Sequence, residues 1–126
     1  MKPLRIAVAE DEWLIAEDLR AQLEALGHTV VEIARTGEEL VSAVARARPD
    51  LALVDIKLAR GSDGLAAAQE VQERLGVPAI AVTGHLTPEE AREAGLLGLV
   101  QKPITPTKLR AMLGRAARRV DGGGTG

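Results

Sequence analysis

The sequence predicts an α/β fold in which a five-stranded parallel sheet is doubly wound, with helices on both faces. Three features lead there. Short runs dominated by Leu, Val, Ile and Ala recur along the chain, as strands buried on both faces require. Between them the apolar residues shift to a spacing of three and four, the mark of a helix with one buried side. Gly and Pro stand at the changes, where one period has to stop. Strict alternation calls for right-handed crossovers and hence a parallel sheet.

The first run, Leu4 to Ala9, is cut off by Glu10-Asp11-Glu12. A helix follows with Ile15, Leu19, Leu23 and Leu26 on one side, and Gly27 is placed to end it in the left-handed conformation. Thr29 to Ile33 is the second strand. Thr36 is placed to cap the second helix and Glu39 to complete a capping box. That helix buries Leu40, Val41, Val44 and Ala45 and ends before Pro49. The third strand opens with Leu51-Ala52-Leu53-Val54 and sets Asp55 where it should run out. A loop from Lys57 to Asp63 follows, with Gly61 and Gly64 inviting tight turns.

Leu65, Ala68, Val71 and Leu75 form the stripe of the third helix, stopped by Gly76. Pro78 to Val82 is the fourth strand, ended by Thr83-Gly84. Thr87-Pro88-Glu89-Glu90 combines a cap, a Pro at the first helical position and a box-closing Glu. This short helix is finished by Gly95, and Gly98 to Gln101 is the fifth strand, followed by Lys102-Pro103. Thr107 or Thr105 opens the last helix, with Leu109, Met112, Leu113 and Ala116 inward. Arg115, Arg118 and Arg119 make its end basic, which suits a helix C-terminus. Residues 1–120 thus form one domain, and Asp121 to Gly126 is expected to be a flexible Gly-rich tail.

With 126 residues there is room for a single core, and it must be aliphatic, because Trp13 is the one aromatic side chain. A net charge of −2 gives no electrostatic case for binding nucleic acid or an anionic membrane. Without Cys there can be no disulfide, zinc–thiolate site or thiol nucleophile. No apolar run is long enough to span a bilayer, and the start lacks a signal-peptide pattern. A soluble cytoplasmic domain is expected.

Ligands of open parallel sheets bind beyond the carboxyl ends of the strands, at the switch in strand order. Here those ends carry Glu10 and Asp11, Asp55, Thr83 and Lys102. Under the strand order 2-1-3-4-5, Asp11 and Asp55 converge. Three carboxylates in one pocket repel unless a cation sits among them, and hard oxygen donors of this kind favour Mg²⁺. Lys102 and Thr83 supply a point charge and a hydroxyl for phosphoryl oxygens. Asp55 is then the natural nucleophile, since a carboxylate can accept a phosphoryl group as an acyl phosphate.

These pieces resemble the receiver domains of bacterial two-component response regulators, the CheY-like family with a flavodoxin-like fold. The resemblance covers about residues 4 to 119 and rests on Val8-Ala9-Glu10-Asp11-Glu12, Leu53-Val54-Asp55, Asp63-Gly64, Val82-Thr83-Gly84 and Lys102-Pro103. It implies that Asp55 is the phosphoacceptor, charged by a histidine kinase or a histidine phosphotransfer protein. Asp11 would bind Mg²⁺ directly, Glu10 mostly through water, and the Lys57 carbonyl would be a further ligand. Lys102 would hold the phosphoryl group, with a cis bond to Pro103, and Thr83 would move toward it while Gly84 keeps the approach open. His85 and Lys57 flank the site, where the family tunes dephosphorylation.

Two positions depart from the family pattern. Leu99 stands where Tyr or Phe is common, and Ile104 where Phe follows Lys-Pro. With no ring to swing, the signal is expected to be read from loop and helix shifts. The expected function is a phosphorylatable switch, not an enzyme, acting through an unidentified downstream protein or onward phosphotransfer. It is either a stand-alone receiver or a fragment of a larger regulator or hybrid kinase. An unmodified kinase-binding adapter is the alternative. A phosphatase with a second acid two residues after Asp11 is disfavoured, because Trp13 occupies that position. Trp13 is expected at the rim of the site, and the face of the fourth helix, fifth strand and fifth helix is a possible homodimer surface.

Overall fold

A computed structural model describes residues 2–58 and 61–123, with residues 120–123 given by backbone alone. The strands are β1 (Arg5–Ala9), β2 (Thr29–Ala34), β3 (Leu51–Asp55), β4 (Ala79–Thr83) and β5 (Gly98–Gln101). They are followed in turn by α1 (Trp13–Ala25), α2 (Gly37–Ala47), α3 (Gly64–Leu75), α4 (Pro88–Glu93) and α5 (Pro106–Gly123). All pairs are parallel and the order is β2-β1-β3-β4-β5, the doubly wound, flavodoxin-like arrangement. β1 and β3 lie side by side where the winding reverses, so a crevice opens above their carboxyl ends.

The central strands are apolar on both sides, yet the two sides differ. Ile6, Val8, Leu51, Leu53, Ile80 and Val82 share a core with Leu19 and Leu23 of α1 and Leu109, Leu113 and Ala116 of α5. Ala7, Ala9, Ala52, Val54, Ala79 and Ala81 share the other with Leu40 and Val44 of α2 and Ala67, Ala68 and Val71 of α3. The period of two along these strands therefore sorts large from small residues, not apolar from polar.

Several helix details differ from the sequence expectation. In α1 the fully buried residues are Ala16, Leu19 and Leu23, while Ile15 is half-buried. In α2 the buried alanine is Ala43 and Ala45 is exposed, because the stripe follows i, i+3 and i+4 from Leu40. Thr36 Oγ1 accepts the Glu39 N–H at 3.1 Å, but the Glu39 carboxylate accepts the N–H of Arg35, one residue outside the cap. The box at Thr87 and Glu90 is complete. Thr105, not Thr107, caps α5 by accepting the Lys108 N–H. α5 runs on to Gly123, so Arg115, Arg118 and Arg119 lie in its body and not in its last turn. Of the expected tail, residues 124–126 lie outside the described residues. Among the described residues, no helix is long and apolar enough to cross a membrane.

Candidate functional site

Parallel strands deliver their carboxyl ends to one edge, and the register decides which residues meet there. Ala9 pairs with Val54, Asp55 with Val82, and Thr83 with Gln101. Glu10 and Asp11 therefore emerge beside Asp55, and Lys102 emerges beside Thr83. The Lys102 N–H donates to the Thr83 carbonyl at 3.0 Å, which locks the last pair together. The Lys102–Pro103 peptide bond is cis.

One carboxylate oxygen from each of Glu10, Asp11 and Asp55 lies within 4.8 Å of the others. Asp55 is 6% exposed and Glu10 3%, so two of these groups lie away from bulk water. Lys102 Nζ reaches into the cluster, 3.0 Å from Asp55 Oδ2 and 3.6 Å from Glu10 Oε1. Burial pushes the Glu10 carboxyl up to about 7, and the Asp55 charge adds to it against the Glu12 N–H and Lys102. Burial works against the Lys102 ammonium, but the hydrogen bond and charge of Asp55, with Glu10 behind them, hold it above its ordinary value. Among the described residues, the Lys102 ammonium is the one cation set against these three carboxylates, which leaves the cluster short of positive charge. Its all-oxygen donor set suits a hard divalent cation.

The other side of Asp55 is held by backbone. Asp55 Oδ1 accepts the Lys57 N–H at 3.1 Å, and Lys57 pairs with Asp63 across the loop. The Gly64 N–H closes the loop on the Ile56 carbonyl at 3.0 Å. A Cβ on Gly64 would lie 2.0 Å from the Asp55 carbonyl oxygen, so only glycine fits there. The sequence marked Asp63-Gly64 as a turn; this contact across the loop is what the turn serves. Thr83 is buried, and its hydroxyl accepts the His85 N–H at 3.0 Å. The side chains of Lys57 and His85 are exposed beside the site. Leu99 and Ile104 make apolar packing contacts only, each with a different core.

Trp13 and Leu14 are 71% and 75% exposed at the start of α1, next to the acidic cluster. Leu14 has no special signal in the sequence, because it falls off the inward stripe. Two further polar residues are unmarked by any local pattern. Ser62 Oγ accepts the N–H of Gly37 at the start of α2, at 2.7 Å. His28, 4% exposed at the opposite end of the sheet, accepts the Leu4 N–H on Nδ1 at 2.9 Å.

The model of the response regulator receiver domain matches residues 6–114. The chain is 40% identical over 116 residues to the phyllosphere-induced regulator PhyR of Methylorubrum extorquens, covering 88% of this chain and 42% of that protein. It is 34% identical over 110 residues to the transcriptional regulatory protein PdtaR of Mycobacterium tuberculosis, covering 85% and 53%. The chain thus spans about half the length of these curated relatives. The receiver domain of a modulated diguanylate cyclase from Desulfovibrio desulfuricans superposes with a TM-score of 0.84 at 31% identity, covering 95% of this chain and 98% of that one. The anti-anti-sigma factor PhyR of Bartonella quintana superposes at 0.85 with 32% identity, over 99% of this chain and 51% of its own. With the strand order, the acidic edge and a family match over most of its length in agreement, the chain belongs to the response regulator receiver domains of two-component signalling.

Proposed function

We propose that this receiver is a phosphorylation switch in which Asp55 accepts a phosphoryl group from the phosphohistidine of a histidine kinase or phosphotransfer protein. The observation that carries this reading is the setting of Asp55: buried at a strand end, 3.0 Å from an ammonium and grouped with two other carboxylates. An Asp55 oxygen attacks phosphorus, forming an O–P bond as the N–P bond of the donor breaks. The donor imidazole leaves with that electron pair. Lys102 neutralises charge on the phosphoryl oxygens, and the Thr83 hydroxyl donates to one of them once released from the His85 N–H. Glu10, Asp11 and Asp55, with the Lys57 carbonyl, would hold Mg²⁺. When bound, that ion offsets the negative charge of both nucleophile and phosphoryl group. Trp13 and Leu14 form an apolar rim on which the donor protein docks. Catalysis by the chain is confined to its own aspartyl group.

Intact-mass spectrometry after incubation with Mg²⁺ and acetyl phosphate tests the reading. One added phosphoryl group is expected, absent from Asp55→Asn and without the cation. Modification that survives in Asp55→Asn would move the acceptor elsewhere. No adduct under any condition, with no response to beryllofluoride, would leave an unmodified binding module.

A further inference from the structure

The loop after Asp55 is fastened to the first turn of α2 by a side-chain hydroxyl that takes a backbone N–H. Gly37 is the first residue of α2, so its own helix offers its N–H no acceptor. Ser62 supplies one at 2.7 Å. Contact here is too close for any side chain on Gly37: a Cβ would stand 2.9 Å from Ala67 Cβ and 3.0 Å from Ser62 Oγ. One residue on from Ser62, Asp63 caps α3 through the Ala66 N–H at 3.1 Å and pairs with Lys57. Lys57 in turn donates to Asp55 Oδ1. At the other end of the loop, Gly64 sits against the Asp55 carbonyl. Asp55 is therefore joined to α2 through Lys57, the bridge from Lys57 to Asp63, and Ser62, the chain neighbour of Asp63. Toward β5 the connection runs instead through charge, from Asp55 Oδ2 to Lys102 Nζ at 3.0 Å and from the Lys102 N–H to the Thr83 carbonyl at 3.0 Å, while Leu99 offers apolar packing.

We propose that Ser62 is a positioning residue that couples the state of Asp55 to the first turn of α2, so that phosphorylation is registered in the α2–α3 region. This rests on the assignment of Asp55 as phosphoacceptor. Formation of the acyl phosphate removes carboxylate charge from the acceptor of the Lys57 N–H, and a charge-assisted bond becomes an ordinary one or re-forms on a phosphoryl oxygen. Lys57 shifts, Asp63 and Ser62 shift with it, and α2 loses or regains the acceptor for its first amide.

Hydrogen exchange read by mass spectrometry, with intact mass taken from the same samples, tests the coupling in the full chain. The samples are the wild type, Ser62→Ala and Ser62→Thr, each with Mg²⁺ and with or without acetyl phosphate. In the wild type, adduct formation should change exchange in the first turn of α2. In Ser62→Ala that turn should exchange about fivefold faster from the outset, as for one lost hydrogen bond. Its response to the donor should vanish while the adduct still forms. Ser62→Thr keeps the hydroxyl and should restore the response. A wild type that takes the phosphoryl group without change in α2, or a Ser62→Ala that responds like the wild type, overturns the coupling alone. A wild type that takes no phosphoryl group overturns the phosphoacceptor assignment and the coupling with it.

Discussion

The two ends of the sheet bury polar groups on opposite terms. At the amino end two amides at the start of β1 each meet a single partner, while the buried Nε2 of His28 has none among the described residues. His28 Nδ1 takes the Leu4 N–H, the Asp50 carboxylate takes the Arg5 N–H at 2.8 Å, and Arg5 returns a hydrogen bond to the Arg48 carbonyl. At the carboxyl end the Lys102 ammonium lies against Glu10 and Asp55, both buried, and Asp11 adds a third carboxylate to the cluster. The amino end is arranged to hold the strands. The carboxyl end forgoes charge balance where a cation and a phosphoryl group would complete it, a local cost characteristic of functional sites.

Damage at the carboxyl end should be largest where backbone meets backbone. Gly64→Ala places a methyl 2.0 Å from the Asp55 carbonyl oxygen and is expected to cost about 3 kcal/mol. Urea denaturation measures it, and an unchanged midpoint would show that α3 is not seated on the end of β3. Lys102→Met removes the one ammonium from the cluster and should cost about 1–2 kcal/mol in metal-free buffer, the pair being part-exposed. Added Mg²⁺ should raise the midpoint of this variant more than that of the wild type. Equal shifts would mean that the carboxylates do not share a cation.

The amino end should instead respond to pH. Burial holds the His28 imidazole below its ordinary value of 6.5, and a protonated Nδ1 could no longer accept the Leu4 N–H. The unfolded chain takes up a proton near pH 6.5 that the folded chain resists. The stability His28 contributes is therefore complete above that pH and is lost as pH falls toward the folded value. His28→Ala should cost about 1–2 kcal/mol at pH 8, and the gap to the wild type should narrow by pH 5. A gap that stays constant across that range would remove His28 from the acid response.

Much of this contrast was legible along the chain where its signals are local. Asp55 ends an apolar run, Glu10 and Asp11 end another, and the Thr87–Glu90 box sits within four residues, so each can be read without knowing its neighbours in space. Helix faces are legible from their larger residues and less so from their alanines: Leu40 and Val44 mark the buried side of α2, but Ala is common on either face, and it is Ala43, at i+3 from Leu40, and not Ala45 that is buried. α5 extends past the expected start of the tail at Asp121 to Gly123, because Gly and Asp discourage a helix without forbidding its last turns.

By itself the sequence determined the alternation of strand and helix and the placing of chemistry-bearing residues at strand ends. Periodicity, caps and breakers act over a few residues and carry that information. Only the tertiary structure decided that Gly64 lies against the Asp55 carbonyl, that Ser62 caps a helix 25 residues before it, and that His28 takes the amide of Leu4 24 residues before it. These contacts have no period along the chain. They exist because parallel strands bring distant chain ends to one edge, where each unpaired amide or carboxylate must find its partner among whatever residues the crossovers deliver.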